Sequence, residues 1–412
     1  MSLERALREV DKWFDWGVEL LKKMVSVPTV NPPGERYGEF VNRVAEELQE
    51  FADVEIVEVP RSFVAERKPE LADYPRYILV ARVGGSEPVL EINGHYDVVP
   101  PGDGWSRNPF MPVVEGGRLY GRGAVDMKGG IAAGAIALRA IAESGAELGG
   151  CLELLLVPDE EIGGETGTGY ALEAGLVRPS WVIIAEPSSI NTLWIGHRGA
   201  VWLYVEVLGK QAHASSPWLG ENAFVKAARL AVALEEELQK LYSSRKSSYE
   251  YDDPRSAHPT ATLGGETYGG AKINIVPGRF RFSIDRRLIV EEKPEDVEKE
   301  LRSIIEAKAR EIGCRVRIET VHRMPPSVTD PQNPLVKTGI EAIKNVARVE
   351  PRAVVCSGGL DMWYYTTRGV PTITYGPGPE ELAHQPDEYV DLEQVRTVAK
   401  VYTYTALKLL AK

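Results

Sequence analysis

Cysteine and histidine are scarce in this chain of 412 residues, and no long apolar run occurs in it. The three cysteines, Cys151, Cys314 and Cys356, are odd in number and far apart. This pattern argues against a disulfide framework and against a cysteine-based zinc site, and it is typical of a reducing compartment. No segment has the apolar core of a signal peptide or the length of a membrane-spanning helix. We therefore expect a cytoplasmic protein that does not act on a membrane.

Positive charge is also in deficit. The chain has 48 Lys and Arg residues against 60 Asp and Glu residues, a net charge of −12 at pH 7. Nucleic-acid binding relies on clustered Lys and Arg, so this balance argues against a nucleic-acid partner. Hydrophobic residues make up 43% and charged residues 26%, which excludes disorder as the main state. The length exceeds what one core usually serves and predicts two domains.

Apolar strand patterns alternate with helical patterns over much of the chain. Strands are predicted near residues 77–83, 89–92, 151–157 and 181–185, and a helix over 130–144. Such alternation predicts an α/β protein with a mainly parallel sheet that helices cover on both faces.

The order of predicted strands and helices changes at about residue 197. Strand and helix patterns there follow the sequence β-α-β-β-α-β, which is typical of a two-layer α/β unit. The first pattern resumes after Pro325-Pro326. We therefore predict a main domain made of residues 1–196 and 323–412, with an inserted domain at 197–322. Two further segments are noted, an insertion-like stretch at 61–75 and a polar, mobile loop within 243–259.

Histidine and aspartate occur together where an apolar strand ends, in Gly94-His95-Tyr96-Asp97. Open α/β sheets place their sites at the carboxyl ends of strands. In His-x-Asp, Asp97 can hold the imidazole of His95 and fix its tautomer. The alternative is a hydrogen-bonded loop histidine without a functional role.

Acidic residues occupy similar positions elsewhere. Asp126 precedes an apolar helix, where it could simply cap the helix. Glu160 and Glu161 follow a buried strand, and their alternative is a solvated acidic turn. Glu186 follows another apolar strand, and His384 lies in an acidic segment further along the chain.

Taken together, four carboxylates and two histidines fall at strand ends or in adjoining loops of one predicted sheet. Oxygen ligands mixed with imidazole suit two zinc-like divalent ions. One carboxylate can bridge such a pair, and two ions about 3.5–4 Å apart form a hydrolytic site.

The His-x-Asp, Asp-Met-Lys-Gly-Gly and Glu-Glu motifs follow one another in a specific order, and together they carry a family resemblance over nearly the whole chain. The chain resembles the di-zinc amidohydrolase and peptidase family of acetylornithine deacetylase, succinyl-diaminopimelate desuccinylase, aminoacylase and glutamate carboxypeptidase. The resemblance implies two divalent ions, zinc first, with cobalt or manganese as alternatives. It also implies a cis peptide bond between Asp126 and Met127.

The resemblance implies a role for each residue of the predicted site. His95 and Glu186 hold one ion, Glu161 and His384 hold the other, and Asp126 bridges them. Glu160 is the general base, and Asp97 orients His95.

The resemblance also extends to the inserted domain, which is expected to act as a lid and as the homodimer interface. His213, in Lys210-Gln211-Ala212-His213, is expected to stabilise the oxyanion in the partner subunit's site; a surface histidine is the alternative. Asn274 and Arg287 are expected to contact substrate, although an arginine on a solvated face remains possible. Gly358 and Gly359 resemble the family's substrate loop, where Leu360 replaces the usual small hydroxyl residue.

The leading functional hypothesis is a metal-dependent hydrolase that cleaves the amide of an N-acyl amino acid with a free carboxylate. A dipeptidase or carboxypeptidase with the same metals is the nearest alternative. A non-catalytic binding module on the same fold is the third, but such a module would have lost a ligand or Glu160.

Overall fold

The computed structural model describes residues 2–412, and internal contacts divide the chain into two units. The larger unit comprises the residues up to Ile195, Thr329–Ala353 and Leu360–Lys412. The inserted unit comprises Gly196–Val328 and Val354–Gly359. The sequence analysis put the two changes of domain at 196/197 and 322/323 and assigned the short segment 354–359 to the main domain.

Residues 2–412 form ten α-helices and eighteen strands. The helices are α1 (Ser2–Ser26), α2 (Tyr37–Leu48), α3 (Arg61–Arg67), α4 (Gly129–Ser144), α5 (Tyr170–Glu173), α6 (Ala223–Ser243), α7 (Pro294–Ile312), α8 (Pro334–Val346), α9 (Met362–Thr366) and α10 (Leu392–Leu410). The strands are β1 (Asp53–Glu58), β2 (Tyr77–Gly84), β3 (Val89–His95), β4 (Val113–Glu115), β5 (Arg118–Tyr120), β6 (Cys151–Val157), β7 (Trp181–Ile184), β8 (Thr192–His197), β9 (Gly199–Leu208), β10 (Ala212–His213), β11 (Thr260–Gly269), β12 (Ile275–Val276), β13 (Arg279–Leu288), β14 (Arg315–Met324), β15 (Ser327–Val328), β16 (Arg352–Cys356), β17 (Thr372–Thr374) and β18 (Tyr389–Asp391).

The sheet of the larger unit has the order β1-β2-β6-β3-β7-β17-β8. Strands β6, β3, β7 and β17 run parallel to their neighbours at its centre, whereas β1, β2 and β8 join in antiparallel fashion at the sides. Every residue of β6 is buried, as expected for a parallel strand with both faces covered. The predicted α/β class with a parallel-stranded sheet is confirmed.

Helix α4 packs against α1 and α10 and begins close to the end of β7. A Cβ atom on Gly130 would lie 2.0 Å from the carbonyl oxygen of Ala185, so only glycine permits this approach. The first turn of α4 is thereby held next to the residue that precedes Glu186.

The inserted unit is an antiparallel sheet with the order β11-β13-β9-β14. Residues of β9 alternate between buried and more exposed positions, and its buried residues share a core with α6 and α7. The β-α-β-β-α-β order predicted for this part of the chain is confirmed.

Two segments contain structure and packing that the sequence patterns did not predict. Residues 61–75 contain helix α3, with Val64 and Leu71 buried in a small apolar cluster. Residues 243–259 are not a bare polar loop, because Tyr251 and Ala257 pack with Val355 in a second cluster. Their few apolar residues are too widely spaced for periodicity to reveal this packing. Among the described residues, no helix has both the length and the apolar character that a membrane span requires.

Candidate metal centre

Polar side chains gather where the central strands of the larger unit end. His95 is the last residue of β3, and Glu161 follows β6 in the helical turn Glu160–Ile162. Glu186 comes two residues after β7, and Asp126 lies in the irregular turn before α4. The carboxyl ends of parallel strands meet at one edge of a sheet, which brings these residues together.

The side chains form two groups of three potential ligands that share one carboxylate. In the first group, Nε2 of His95 lies 3.1 Å from Oδ1 of Asp126 and 3.3 Å from Oε1 of Glu186. In the second group, Nε2 of His384 lies 3.2 Å from Oδ2 of Asp126 and 3.2 Å from Oε1 of Glu161. The ligand atoms within each group all lie within 4.8 Å of one another. Asp126 thus offers one oxygen to each group.

The charges of the site fit divalent cations. Burial raises the pKa of Glu186 to about 8, and burial likewise raises the pKa of Glu161. Hydrogen bonds to Asp126 and Glu161 raise the pKa of His384 to about 10. Burying several carboxylates is unfavourable unless positive charge compensates them. Imidazole and carboxylate ligands are also the set that zinc-like ions bind in proteins.

Asp97 connects the two groups. Its Oδ1 lies 3.4 Å from Nδ1 of His95, and its main-chain oxygen lies 3.0 Å from the same nitrogen. The same carboxylate accepts hydrogen bonds from the backbone N–H groups of Glu160 and Glu161, at 3.2 and 3.3 Å. These contacts leave Nε2 of His95 free to face Asp126 and Glu186.

Glu160 lies in an environment that disfavours its charge. Burial raises the pKa of Glu160 well above its ordinary value; the charge of His95 opposes this effect, and the charges of Glu186 and Asp361 reinforce it. Asp159, immediately before it, has a left-handed backbone with a φ of 66°. A carboxylate in such surroundings is suited to accepting and returning a proton.

The backbone that carries Asp126 is held by residues that the sequence analysis did not identify. Oε1 of Glu388 accepts hydrogen bonds from the N–H groups of Val125 and Asp126, at 2.9 and 3.2 Å. Oε2 of Glu388 pairs with Nη1 of Arg122 at 2.5 Å, and both side chains are buried. The peptide bond between Asp126 and Met127 is cis, which confirms the expectation drawn from the resemblance.

Asp361 is a further residue that the sequence patterns did not identify. Its Oδ2 accepts a hydrogen bond of 2.5 Å from Thr168, and burial raises its pKa to about 6. Tyr364, on α9, donates a hydrogen bond of 2.6 Å to the main-chain oxygen of Gly163, just beyond the turn that carries Glu160. In the sequence, Asp361 follows the glycine-rich segment Ser357–Leu360, and this position was the one indication that it could belong to the site.

The remaining predicted residues belong to the inserted unit. His213 and Asn274 lie side by side, since β10 pairs with β12 and the N–H of Ala214 donates to the oxygen of Asn274 at 3.0 Å. His213 is exposed, and its Nδ1 lies 2.7 Å from Oγ of Ser215. Arg287 lies on β13 and pairs with Asp285 at 2.9 Å.

The glycine-rich segment is packed tightly within the same unit. The N–H of Gly358 donates to Sγ of Cys356 at 3.3 Å. A Cβ atom on Gly359 would lie 2.3 Å from the methyl carbon of Met324.

Comparison with known proteins agrees with this geometry. The family model described as "Peptidase family M20/M25/M40" matches residues 92–408. Succinyl-diaminopimelate desuccinylase of Nitratiruptor sp. is 30% identical over 394 residues, which cover 93% of this chain and 97% of that protein.

Solved structures share the fold. The M20 family metallo-carboxypeptidase Sso-CP2 of Sulfolobus solfataricus superposes with a TM-score of 0.74 at 21% identity, over 95% of this chain and 98% of its own. The dipeptidase Dug1p of Saccharomyces cerevisiae superposes with a TM-score of 0.75 at 18% identity, over 98% of this chain and 99% of its own. The match over most of the sequence shows that this chain belongs to peptidase family M20/M25/M40 and is a metal-dependent hydrolase of amide bonds.

Proposed function

We propose that this enzyme removes the acyl group from an N-acyl amino acid that carries a free carboxylate, with N-succinyl-diaminopimelate as the first candidate substrate. The observation that carries the proposal is the pair of ligand groups that share Asp126 beside Glu160. The desuccinylase of Nitratiruptor sp., similar over nearly the whole chain, supports the choice of substrate.

The two groups would hold two divalent ions, zinc in the first instance, with cobalt or manganese as alternatives. His95 and Glu186 would bind one ion, Glu161 and His384 the other, and Asp126 both. When bound, such ions lower the pKa of a water molecule and polarise the carbonyl that it attacks.

Glu160 would act as the general base. It accepts a proton from the water, whose oxygen forms a bond to the carbonyl carbon of the substrate amide. As the carbon–nitrogen bond breaks, Glu160 returns the proton to the nitrogen of the leaving amine. Asp97 takes no part in these transfers and serves to orient the ring of His95.

Residues of the inserted unit would bind the substrate. The guanidinium of Arg287 can bind a carboxylate through two parallel hydrogen bonds, and Asn274, Gly358 and Gly359 would contact the rest of the molecule. His213 would stabilise the oxyanion by donating a hydrogen bond.

We further propose a homodimer that forms through the inserted unit and in which His213 serves the partner's site. Strands β11 and β14 are the edges of its sheet, and an edge strand can pair with a twofold mate. A cytoplasmic location is proposed as well, in keeping with the three cysteines, which form no disulfide with one another.

A hydrolysis screen tests the substrate proposal. Purified protein is supplied with zinc, cobalt or manganese and offered N-succinyl-diaminopimelate, acetylornithine, other acyl-amino acids and dipeptides. The proposal requires cleavage of an acyl-amino acid by the native enzyme and a rate lower by about 10²–10⁴-fold in Glu160→Gln. Cleavage of dipeptides alone would favour the dipeptidase or carboxypeptidase alternative, and no cleavage of any acyl-amino acid would contradict the proposal.

A further inference from the structure

A buried polar network lies behind the candidate metal centre, on the side of Asp97 that faces away from His95. Asn31 is 1% exposed, and its side-chain nitrogen donates to Oδ2 of Asp97 at 2.9 Å and to Oδ1 of Asp159 at 3.0 Å. Ionised carboxylates only accept hydrogen bonds, so the amide nitrogen has to face both of them. Its two hydrogens serve one carboxylate each, which fixes the distance between Asp97 and Asp159.

Asp159 is the anchor of this network. Besides Asn31, its Oδ1 accepts from the hydroxyl of Tyr37 at 2.9 Å. Its Oδ2 accepts from Nε of Arg76 at 2.8 Å and from the hydroxyl of Thr166 at 2.5 Å. Four donors therefore hold one carboxylate, which leaves it little freedom to move.

Arg76 supplies the positive charge. It is fully buried, and its other nitrogens donate to the main-chain oxygens of Tyr74 at 2.6 Å and Pro33 at 2.9 Å. A buried carboxylate is stable only when it is paired and hydrogen-bonded, and Arg76 meets both needs for Asp159. It also fixes the segment around Pro33, next to Asn31.

Asp159 immediately precedes the turn Glu160–Ile162 and is part of its hydrogen bonding. Its main-chain oxygen accepts from the N–H groups of Ile162 at 3.3 Å and Gly164 at 2.7 Å. Its φ of 66° is unfavourable for a residue with a side chain, so the contacts of that side chain have to hold it in place. Asp159 thus holds the turn that carries Glu160 and Glu161.

We propose that Asn31, held by the Arg76–Asp159 pair, is a positioning residue for Asp97 and thereby sets the geometry of both ligand groups. The inference rests on the proposed function. Asp97 contacts the ring of His95 in the first group and the backbone of Glu161 in the second. A shift of this one carboxylate therefore displaces a ligand in each group. Asn31 itself belongs to neither ligand group and acts on both through Asp97.

Asn31→Ala in the full-length protein tests the proposal, with Asn42→Ala as the matched control. Asn42 is an exposed asparagine of α2 whose side-chain nitrogen donates to the main-chain oxygen of Gly38 in the same helix at 2.7 Å. Metal-free protein is titrated with zinc against a chelating dye, and the cobalt form is examined by its visible absorption spectrum. Replacing a residue that orients metal ligands typically lowers metal affinity or activity by about 10–100-fold.

The expected result for Asn31→Ala is a zinc affinity lower by about 10–100-fold, an altered cobalt spectrum, and a lower kcat with nearly unchanged KM. Asn42→Ala should match the native enzyme in all of these. A folded Asn31→Ala protein with native zinc affinity and cobalt spectrum would overturn the proposal.

Tyr37→Phe provides the second variant in case Asn31→Ala does not fold. It removes only the hydroxyl that donates to Asp159 and should weaken zinc binding several-fold; native zinc affinity in this variant would also overturn the proposal. If the native enzyme itself binds no metal or cleaves no amide, it is the proposed function that has failed. If the native enzyme does both and the variants bind metal normally, only this inference has failed.

Discussion

Glu91 lies directly opposite Glu153 in the register between strands β3 and β6, and both side chains are buried. Burial raises the pKa of Glu91 well above its ordinary value, and the neighbouring charge of Glu153 adds to this effect. Glu153 pairs with Nε of Arg82 at 2.6 Å, and the hydroxyl of Tyr365 donates to Glu91. Glu153 has the cationic partner Arg82, so burial favours the protonated form most strongly at Glu91.

The first prediction concerns Glu91→Gln and stability at alkaline pH. The folded-state pKa of Glu91 is raised above its unfolded value. Its contribution to the free energy of unfolding is therefore fully present below about pH 4 and is lost as pH rises toward the folded-state pKa. Glutamine has the shape of the protonated acid and does not titrate. As pH rises, the free energy of unfolding of the variant should therefore increase relative to that of the native protein. The increase should be up to about 1.4 kcal/mol per pH unit between the unfolded-state and folded-state pKa values of Glu91.

Urea denaturation between pH 5 and pH 9 measures this difference. Glu46→Gln, at an exposed position on α2, is the control and should leave the pH dependence unchanged. A difference between Glu91→Gln and the native protein that does not change with pH, or that shrinks, would refute the prediction.

The second prediction concerns metal content. The native chain should bind two divalent ions, and His384→Ala should retain one, because only the second group contains this histidine. Asp126→Ala should lose affinity for both ions, since each group uses one of its oxygens. Elemental analysis after dialysis gives the ratio of metal to protein. As a control, His322→Ala, which replaces a histidine of the inserted unit, should still bind two ions. If His384→Ala and Asp126→Ala lost the same amount of metal, the two groups would not bind ions separately.

The third prediction separates catalysis from metal binding. Glu160→Gln should lower kcat by about 10²–10⁴-fold while metal content stays near that of the native enzyme, because the amide cannot accept the proton. Steady-state kinetics with elemental analysis measures both quantities. Glu165→Gln, an exposed glutamate in the following turn, should be as active as the native enzyme. Near-native activity of Glu160→Gln would reassign the base, and loss of metal would make Glu160 a ligand.

The fourth prediction concerns assembly. His213→Ala and Glu160→Gln should each be nearly inactive as homodimers. Mixed dimers of the two variants should recover one working site, since one site then contains both an intact Glu160 and the partner's intact histidine. Differently tagged chains allow the mixed dimer to be purified and assayed. If the mixed dimer forms without recovering activity, His213 does not act across the interface. A fully active monomer would exclude any sharing of active-site residues between subunits.

Local sequence pattern reveals much of the site because its residues follow apolar strands. The buried runs of β3, β6 and β7 mark the places where His95, Glu161 and Glu186 must emerge at one edge of the sheet. His384 follows no such strand, and its assignment to the second group came from the family resemblance. Its contact with Glu161 joins residues 223 positions apart.

The residues that support the ligands could not be predicted either, because they too contact one another across long stretches of sequence. Arg76 and Asp159 are separated by 83 positions, and neither the end of one strand nor the start of another indicates that they pair. Asn31 lies in a turn-rich segment, where asparagine is common for backbone reasons alone. Only the three-dimensional arrangement shows that its amide lies between two carboxylates.

The order of the ligands along the chain has a consequence for biosynthesis. His95, Asp126, Glu161 and Glu186 precede the inserted unit, whereas His384 follows it. A nascent chain that has emerged only as far as Val328 therefore contains the complete first group and an incomplete second one. If each group holds one ion, as proposed, the second site is complete only after His384 has been synthesised, and a product terminated before that residue retains only the first site.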